Sequence, residues 1–227
     1  MGQDSTCWGL LRAAAAGDDS SRAEFVVRYA PVVRAYLGVR WRGTKWLGEF
    51  DDTVQDVFLE CLKEGGLLER ARPDRPGGFR AFLYGAVRNV ALRVETQGAR
   101  RLAREPRDST ALQDAPSREG ALSRVFDRAW AKALVRQAAE RQAELAAQRG
   151  VAALRRVELL RLRFHEGIPI REIAQLWGVE AAPLHHEYAR ARQEFRAALR
   201  DVVAASHGGA APGEIDRECA QLLALLE

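Results

Sequence analysis

The sequence is poor in the residues that build catalytic, metal and redox sites. Its three cysteines, Cys7, Cys61 and Cys219, are far apart, and no two of them have the spacing of a metal-ligand or redox pair. It contains no recognisable Ser/His/Asp set, phosphate-binding loop or metal motif, and its four histidines do not reveal a site by spacing. We therefore expect a protein that is not an enzyme, with no catalytic residue, metal or cofactor.

Signals for export and for membrane insertion are also missing. The start, MGQDSTCWGL, lacks the basic residues and the apolar core of a signal peptide, and no uncharged run is long enough to cross a membrane. MGQDST fits the loose myristoylation pattern, which we interpret as a chance match. Because the sparse, odd cysteine count fits a reducing compartment, we expect a cytoplasmic protein without membrane contacts.

Charge is distributed unevenly along the 227 residues, although the formal net charge is only +4. The segment 70–107 holds ten arginines and three acidic residues, whereas the segment 48–60 holds five acidic residues and no basic one. A basic block usually forms a solvated surface. Here it carries aromatic residues beside a predicted helix, so a nucleic-acid surface is an equal alternative.

Apolar residues recur at steps of three and four along most of the chain, and no alternating strand pattern of useful length occurs. Pro31 is expected to kink or interrupt one of the predicted helices. Two prolines among polar residues predict a flexible linker at 103–118. We therefore predict an all-α fold of two small helical bundles, with domains at 1–102 and 119–203 and a tail at 204–227.

The segment 168–199 predicts two helices joined by a tight turn. Ile170, Ile173, Ala174 and Leu176 share one face of the first helix, and Gly178 suits a left-handed turn under which Val179 packs. Pro183 suits a first helical turn. These features favour a DNA-binding helix-turn-helix over an ordinary helical hairpin with a charged outer face. The second helix is expected to expose His185, His186, Arg190, Arg192 and Arg196.

Two clusters in these helices could be taken for metal ligands. Adjacent helical residues point about 100° apart, so His185 and His186 do not share a ligand face. Asp52, Asp56 and Glu60 do share a face at i, i+4 and i+8, but no further ligands lie nearby in the sequence. We therefore expect a solvated acidic face there and no metal site.

Three segments, taken together and in order, resemble bacterial sigma factors of the sigma-70 family, extracytoplasmic-function type. EIAQLWGV and HHEYARAR, at 172–179 and 185–192, are similar to the second DNA-binding segment, region 4. FDDTVQDVFLECL, at 50–62, resembles the polymerase-binding helix of region 2, and FRAFLYGAVRNVALR, at 79–93, resembles the promoter-melting helix that follows. The likeness covers roughly 8–102 and 120–203.

The resemblance implies a sigma factor that binds core RNA polymerase and directs promoter-specific initiation. It assigns polymerase binding to Asp52, Gln55, Asp56 and Phe58. It assigns recognition and melting of the −10 element to Arg80, Tyr84, Arg88, Asn89 and Arg93, and recognition of the −35 element to the exposed residues of the second helix named above. Core RNA polymerase and promoter DNA are the implied partners, with an anti-sigma factor as a third.

The sequence departs from the family pattern in ways that bear on specificity. The second helix lacks the usual Ser or Thr near its start, Glu187 stands where a basic residue is common, and Arg93 replaces a frequent acid. The promoter therefore cannot be inferred from relatives. The alternative function is a helix-turn-helix regulator with a helical sensor domain, which needs no acidic polymerase-binding helix.

The tail carries a predicted amphipathic helix beyond the family pattern. Ile215, Cys219, Leu222 and Leu226 fall on one face, flanked by acidic residues. A helix this short needs a partner for its apolar face, so we expect it to dock on the carboxy-terminal bundle. Packing that completes the bundle is favoured over an inhibitory position near the DNA-reading helix.

Overall fold

The computed structural model describes residues 7–73, 75, 77–102, 116–206 and 211–226, without the side chains of 101, 102 and 116–118. Within these ranges the chain forms α-helices and two short 3-10 helices, Lys45–Glu49 and Leu68–Arg70, and contains no strand, which confirms the all-α prediction. The helices are α1 Cys7–Ala15, α2 Asp19–Arg40, α3 Phe50–Leu62, α4 Gly78–Leu102, α5 Pro116–Arg149, α6 Val151–Phe164, α7 Ile170–Leu176, α8 Ala181–Ser206 and α9 Pro212–Ala224.

The amino-terminal core is built around α2. Asp18 caps this helix by accepting a hydrogen bond from the backbone N–H of Ser21. One face of α2 is fully buried and includes Phe25 and Tyr29, which contact Phe79 of α4 edge-on. Pro31 does not interrupt the helix. It lies on the exposed side, where the carbonyl that loses its amide partner can be hydrated.

The first half of α5 belongs to this amino-terminal unit. Trp130 stacks on Tyr29 with ring centroids 5.5 Å apart, and Phe126 meets Tyr84 edge-on at 5.2 Å. The chain accordingly divides into compact units within α5, after Ala133. This differs from the predicted boundary at 103–118, because buried aromatic residues beyond that segment pack against α2 and α4. Residues 103–115 of the predicted linker lie outside the described residues, and 116–118 already belong to α5.

The carboxy-terminal unit contains the rest of α5, followed by α6, α7 and α8. Three glycines with positive φ mark its tight turns: Gly150, at 93°, separates α5 from α6, Gly167, at 73°, lies between α6 and α7, and Gly178, at 62°, ends α7. Its core joins α6, α7 and α8, and the buried residues at its centre are Leu159, Leu162, Ile170, Ile173, Ala174 and Leu184.

The turn between α7 and α8 differs in detail from the expected packing. Leu176 was predicted to face the core, but it is 68% exposed, and Trp177 packs against the core instead. Val179 is also exposed. The larger Trp177 side chain, further covered by Arg155 at 4.6 Å from its ring centroid, fills the place expected for Leu176. Pro183 lies in the first turn of α8 as predicted.

Helix α9 forms in the tail as predicted, and it ends at Ala224, before Leu226 of the predicted apolar face. Cys219 and Leu222 on its apolar face are buried. Residues 211–219 cluster with the carboxy-terminal unit, where Asp216 forms a 2.8 Å ion pair with Arg200 of α8. Arg200 lies four residues, about one helical turn, beyond Arg196, the last of the residues predicted to read DNA. Residues 220–226, which include Leu222, cluster with the amino-terminal unit, so the expected docking on the carboxy-terminal bundle describes only the first part of α9.

None of the helices in the described ranges is both long enough and apolar enough to span a membrane.

Candidate nucleic-acid and protein interfaces

The first four turns of α8 present a basic, exposed surface, which we call the α8 face. All five residues predicted to contact DNA are exposed there: His185, His186, Arg190, Arg192 and Arg196. The guanidinium of Arg192 lies 5.8 Å from the ring centroid of Tyr188, and Arg190 lies 3.8 Å from Glu194 of its own helix. The Arg190 side chain is 64% exposed and Arg192 is also exposed, so a phosphate could approach both.

A buried arginine fixes α8 against α6. The Arg156 side chain is only 7% exposed and donates two hydrogen bonds, of 2.9 and 2.8 Å, to Glu194. It donates a third, of 3.2 Å, to Glu187. Hydrogen bonding to Glu194 is the largest cause that raises the pKa of Arg156 above its ordinary value. The acid at position 187, where the sigma factors that the sequence resembles commonly have a base, is therefore part of an interhelical ion-pair network.

Two further arginines lie beside the α8 face. Arg163 near the end of α6 and Arg171 in α7 line a cleft of about 440 Å³ together with His185 and Tyr188. Sequence reasoning did not include them, because α6 and α7 were examined for their apolar faces. The position of Arg171, directly after the buried Ile170 at the start of α7, is the signal that could have identified it.

The acidic helix α3 presents a partly exposed face, which we call the α3 face. Asp52 and Gln55 are exposed and Asp56 is half-buried. Phe58, which was assigned to polymerase binding, is 6% exposed and packs edge-on against Phe25, so in this conformation it is a core residue rather than a contact residue. The neighbouring Leu59 is 63% exposed instead.

The helical repeat explains why Leu59 is exposed on the α3 face and Phe58 is buried. Asp52, Asp56 and Leu59 follow steps of four and three, so Leu59 lies on the same face as the two acids. Phe58 is one residue, or about 100°, away from that face. The α3 face therefore combines carboxylates with an exposed leucine, a composition suited to a basic protein surface that also has an apolar patch.

Three of the five predicted −10 residues share one face of α4, and that face is in contact with α5. Arg80 pairs with Asp127, while the Tyr84 hydroxyl and Nε of Arg88 donate to the same oxygen of Glu119 at 2.9 and 2.7 Å. We call these three residues the α4 face. Burial and the hydrogen bond to Glu119 raise the pKa of Tyr84 to about 12, so this hydroxyl stays protonated at neutral pH.

Glu119 is held in its ionised form by the donors around it. Burial opposes ionisation, but the hydrogen bonds from Tyr84 and Arg88 and the charges of Arg88 and Arg40 outweigh it and lower the pKa of Glu119. Arg40 is 3.8 Å away and is itself bound by both carboxylate oxygens of Glu95, at 2.7 and 2.8 Å. The carboxylate of Glu119 therefore belongs to a larger ion-pair network.

The two remaining −10 residues lie elsewhere on α4. Asn89 is exposed, and Arg93 is directed toward α3, where it donates a 2.9 Å hydrogen bond to Glu60. The hydrogen bond from Lys63 and then that from Arg93 lower the pKa of Glu60. The structure thus brings Arg80, Tyr84 and Arg88 together and separates Arg93 from them.

Metal-binding geometry is not present in the part of the chain that the structure describes, where no three His, Cys, Asp or Glu side chains converge. Cys7 and Cys61 are buried, and burial raises the pKa of both thiols, to about 12 for Cys61.

Compared with known proteins, the chain matches no family model and no curated protein.

Proposed function

We propose that the chain is a transcription initiation factor of the sigma type, which binds a bacterial core RNA polymerase through the α3 face and promoter DNA through α4 and α8. In this proposal the two helical regions are separate functional modules, and the protein contributes binding rather than catalysis. Opening of a duplex needs capture of unstacked bases and single-strand phosphates, which aromatic rings and arginines provide.

The observation that carries the proposal is the presence of two exposed faces of opposite charge on separate elements. The α8 face offers two histidines followed by three arginines, the order in which a recognition helix meets base edges and then phosphates. The α3 face offers acids and Leu59 to a partner that must carry the opposite charge. A protein that joins DNA to a basic protein surface needs both.

Binding to core polymerase tests the α3 face directly. Asp56→Arg should weaken binding at least tenfold, because reversal of one charge in a complementary interface costs several kcal/mol. Leu59→Ser should weaken it as well, whereas Glu144→Arg, an equal charge reversal at an exposed site of α5, should not. Pull-down with immobilised core enzyme measures this, after circular dichroism has shown that each variant is folded. Undiminished binding by folded Asp56→Arg and Leu59→Ser would remove the α3 face from the proposal.

A helix-turn-helix regulator that acts without polymerase is the second candidate function. The observation in its favour is that the α4 face, which a sigma factor needs for melting, contacts Asp127 and Glu119 rather than solvent alone. This candidate predicts specific duplex binding by the chain by itself and no specific association with core enzyme, so the pull-down separates the two.

A further inference from the structure

The charged residues through which α4 and α5 contact each other are opposite in charge and have the same spacing on both helices. Arg80 and Arg88 are eight residues apart on α4, and Asp127 and Glu119 are eight residues apart on α5. Arg80 pairs with Asp127 and Arg88 with Glu119, so the two helices run antiparallel here. At 1.5 Å per residue, each pair of like charges spans about 12 Å.

The two acids occupy the donors that a DNA strand would use. A carboxylate accepts hydrogen bonds from a guanidinium or a hydroxyl much as a phosphate does. Glu119 accepts hydrogen bonds from both the Tyr84 hydroxyl and Nε of Arg88, and Asp127 accepts one from the guanidinium of Arg80. All three α4 side chains predicted to capture the melted strand therefore have a carboxylate partner within the same chain.

These ion pairs are not what holds α5 in place. The side chains of Arg80 and Arg88 are 37% and 43% exposed, and ion pairs with that much solvent contribute little to stability. Phe126 and Trp130 are almost completely buried against aromatic residues of α2 and α4, and this burial is a much larger contribution. The carboxylates can therefore leave the arginines while α5 stays docked.

We propose that Glu119 and Asp127 are internal competitors of single-stranded DNA, which occupy the α4 face until phosphates displace them. This inference rests on the proposed function, because it takes the α4 face as the strand-binding surface. Competition at this face lowers the affinity of the free protein for single strands. It thereby reserves strand capture for the complex in which a melted strand is present at high local concentration.

The test compares variants of the full chain in binding to a fluorescein-labelled single-stranded DNA of 20 nucleotides and mixed sequence. Glu119→Gln/Asp127→Asn keeps the shapes of both side chains and removes their charges. It should bind single-stranded DNA roughly three- to tenfold more tightly than wild type. Phosphates no longer have to displace two weak ion pairs, and each such pair changes the affinity by a small factor. The slope of log affinity against log salt should steepen by about 0.7 for each additional phosphate that the protein neutralises.

Glu140→Gln/Glu144→Gln is the matched control. It removes two negative charges from exposed positions of the same helix, where the acids pair with Arg136 and Arg141 of α5 itself. If tighter binding came from net charge alone, this variant would show the same increase in affinity. The competition model predicts less than a twofold change.

A second arm separates failure of this inference from failure of the proposed function. Arg80→Ala/Arg88→Ala added to Glu119→Gln/Asp127→Asn should abolish the increase in affinity. If the two arginine substitutions weaken binding in the wild-type background but Glu119→Gln/Asp127→Asn binds like wild type, the α4 face remains a strand-binding surface and the competition is overturned. If the arginine substitutions change nothing in either background, or no variant binds the oligonucleotide, both the face and its competitors are overturned.

Discussion

Arg156 shows how a single buried residue can fix the orientation of a functional helix. Its guanidinium joins α6 to Glu187 and Glu194 of α8, and its side chain is nearly inaccessible to solvent. The direction in which the α8 face points therefore depends on a residue that does not itself lie on that face.

Arg156→Ala should destabilise the protein by about 3 kcal/mol, because it removes the close, hydrogen-bonded cation of the largely buried Glu194 and leaves this carboxylate to the longer contacts of Arg190 and Arg149, at 3.8 and 4.0 Å. The control is Arg161→Ala on the same helix. Arg161 also pairs with two glutamates but is 49% exposed, so the cost should stay below about 1 kcal/mol. Urea unfolding followed by circular dichroism measures both. Equal costs for the two variants would show that Arg156 is not a buried anchor.

At the scale of single residues, the sequence indicated the chemical character of a surface better than it indicated which side chains are exposed there. The acidic character of α3 is evident from composition, but the choice between Phe58 and Leu59 as the exposed residue depends on where α2 lies. Both are large and apolar, and they are adjacent. At the end of α7, Trp177 packs against the core and Leu176 is exposed for the same kind of reason, because the larger side chain fills the core better.

At the scale of helices, the proposed function assigns different parts of DNA binding to different positions along α8. His185 and His186 lie in its first turns, where a recognition helix meets base edges, and Arg190 and Arg192 follow at positions that suit phosphates. Substitutions at the two ends should therefore change different properties of the same interaction.

Arg190→Ala/Arg192→Ala should weaken duplex binding of all sequences alike and reduce the salt slope by about 0.9 for each phosphate that is no longer neutralised. His185→Ala or His186→Ala should instead change which sequences are selected from a random duplex pool. Titration of the full chain against selected and scrambled duplexes distinguishes the two effects, with Arg136→Ala/Arg141→Ala on α5 as the control for the reduced positive charge. If all the α8 variants keep wild-type affinity and preference, α8 does not read DNA.

Helix positions followed from the apolar repeat because each helix buries one stripe, and that stripe is local in sequence. The repeat indicated helices along most of the chain, and the structure forms α1 to α9 within the described residues. Their partners were not indicated, since packing is a property of the folded chain. The contact of α5 with the α4 face is the clearest case: Glu119 and Asp127 look like ordinary solvated acids in the sequence, and only the antiparallel pairing of the helices brings them to Arg88 and Arg80.

At the scale of the whole chain, α5 is the element that the sequence interpretation placed least well. A helix of 34 residues contributes its first half to the amino-terminal unit and its second half to the carboxy-terminal unit. A boundary drawn at the proline-containing segment before it overlooks Phe126 and Trp130, which complete the aromatic core around Tyr29. A truncation intended to isolate the amino-terminal unit therefore has to retain at least residues up to 133, and it still lacks 205–206 and 220–226, which also cluster with that unit.

The separation of opposite charges is the other property of the whole molecule. A formal net charge of +4 conceals an acidic α3 face and a basic α8 face on different units. A protein of this kind can hold a basic protein surface and a nucleic acid at the same time, which is the requirement for directing a polymerase to a promoter.

Selective initiation in vitro tests this account most directly. A bacterial core RNA polymerase is incubated with sheared genomic DNA from the source of the chain, with and without the protein, and the 5′ ends of the transcripts are sequenced. The account predicts a limited set of start sites that share two upstream sequence elements, that are absent with core enzyme alone, and that disappear with Asp56→Arg and with Arg190→Ala/Arg192→Ala. Transcripts that are the same with and without folded wild-type protein would contradict it.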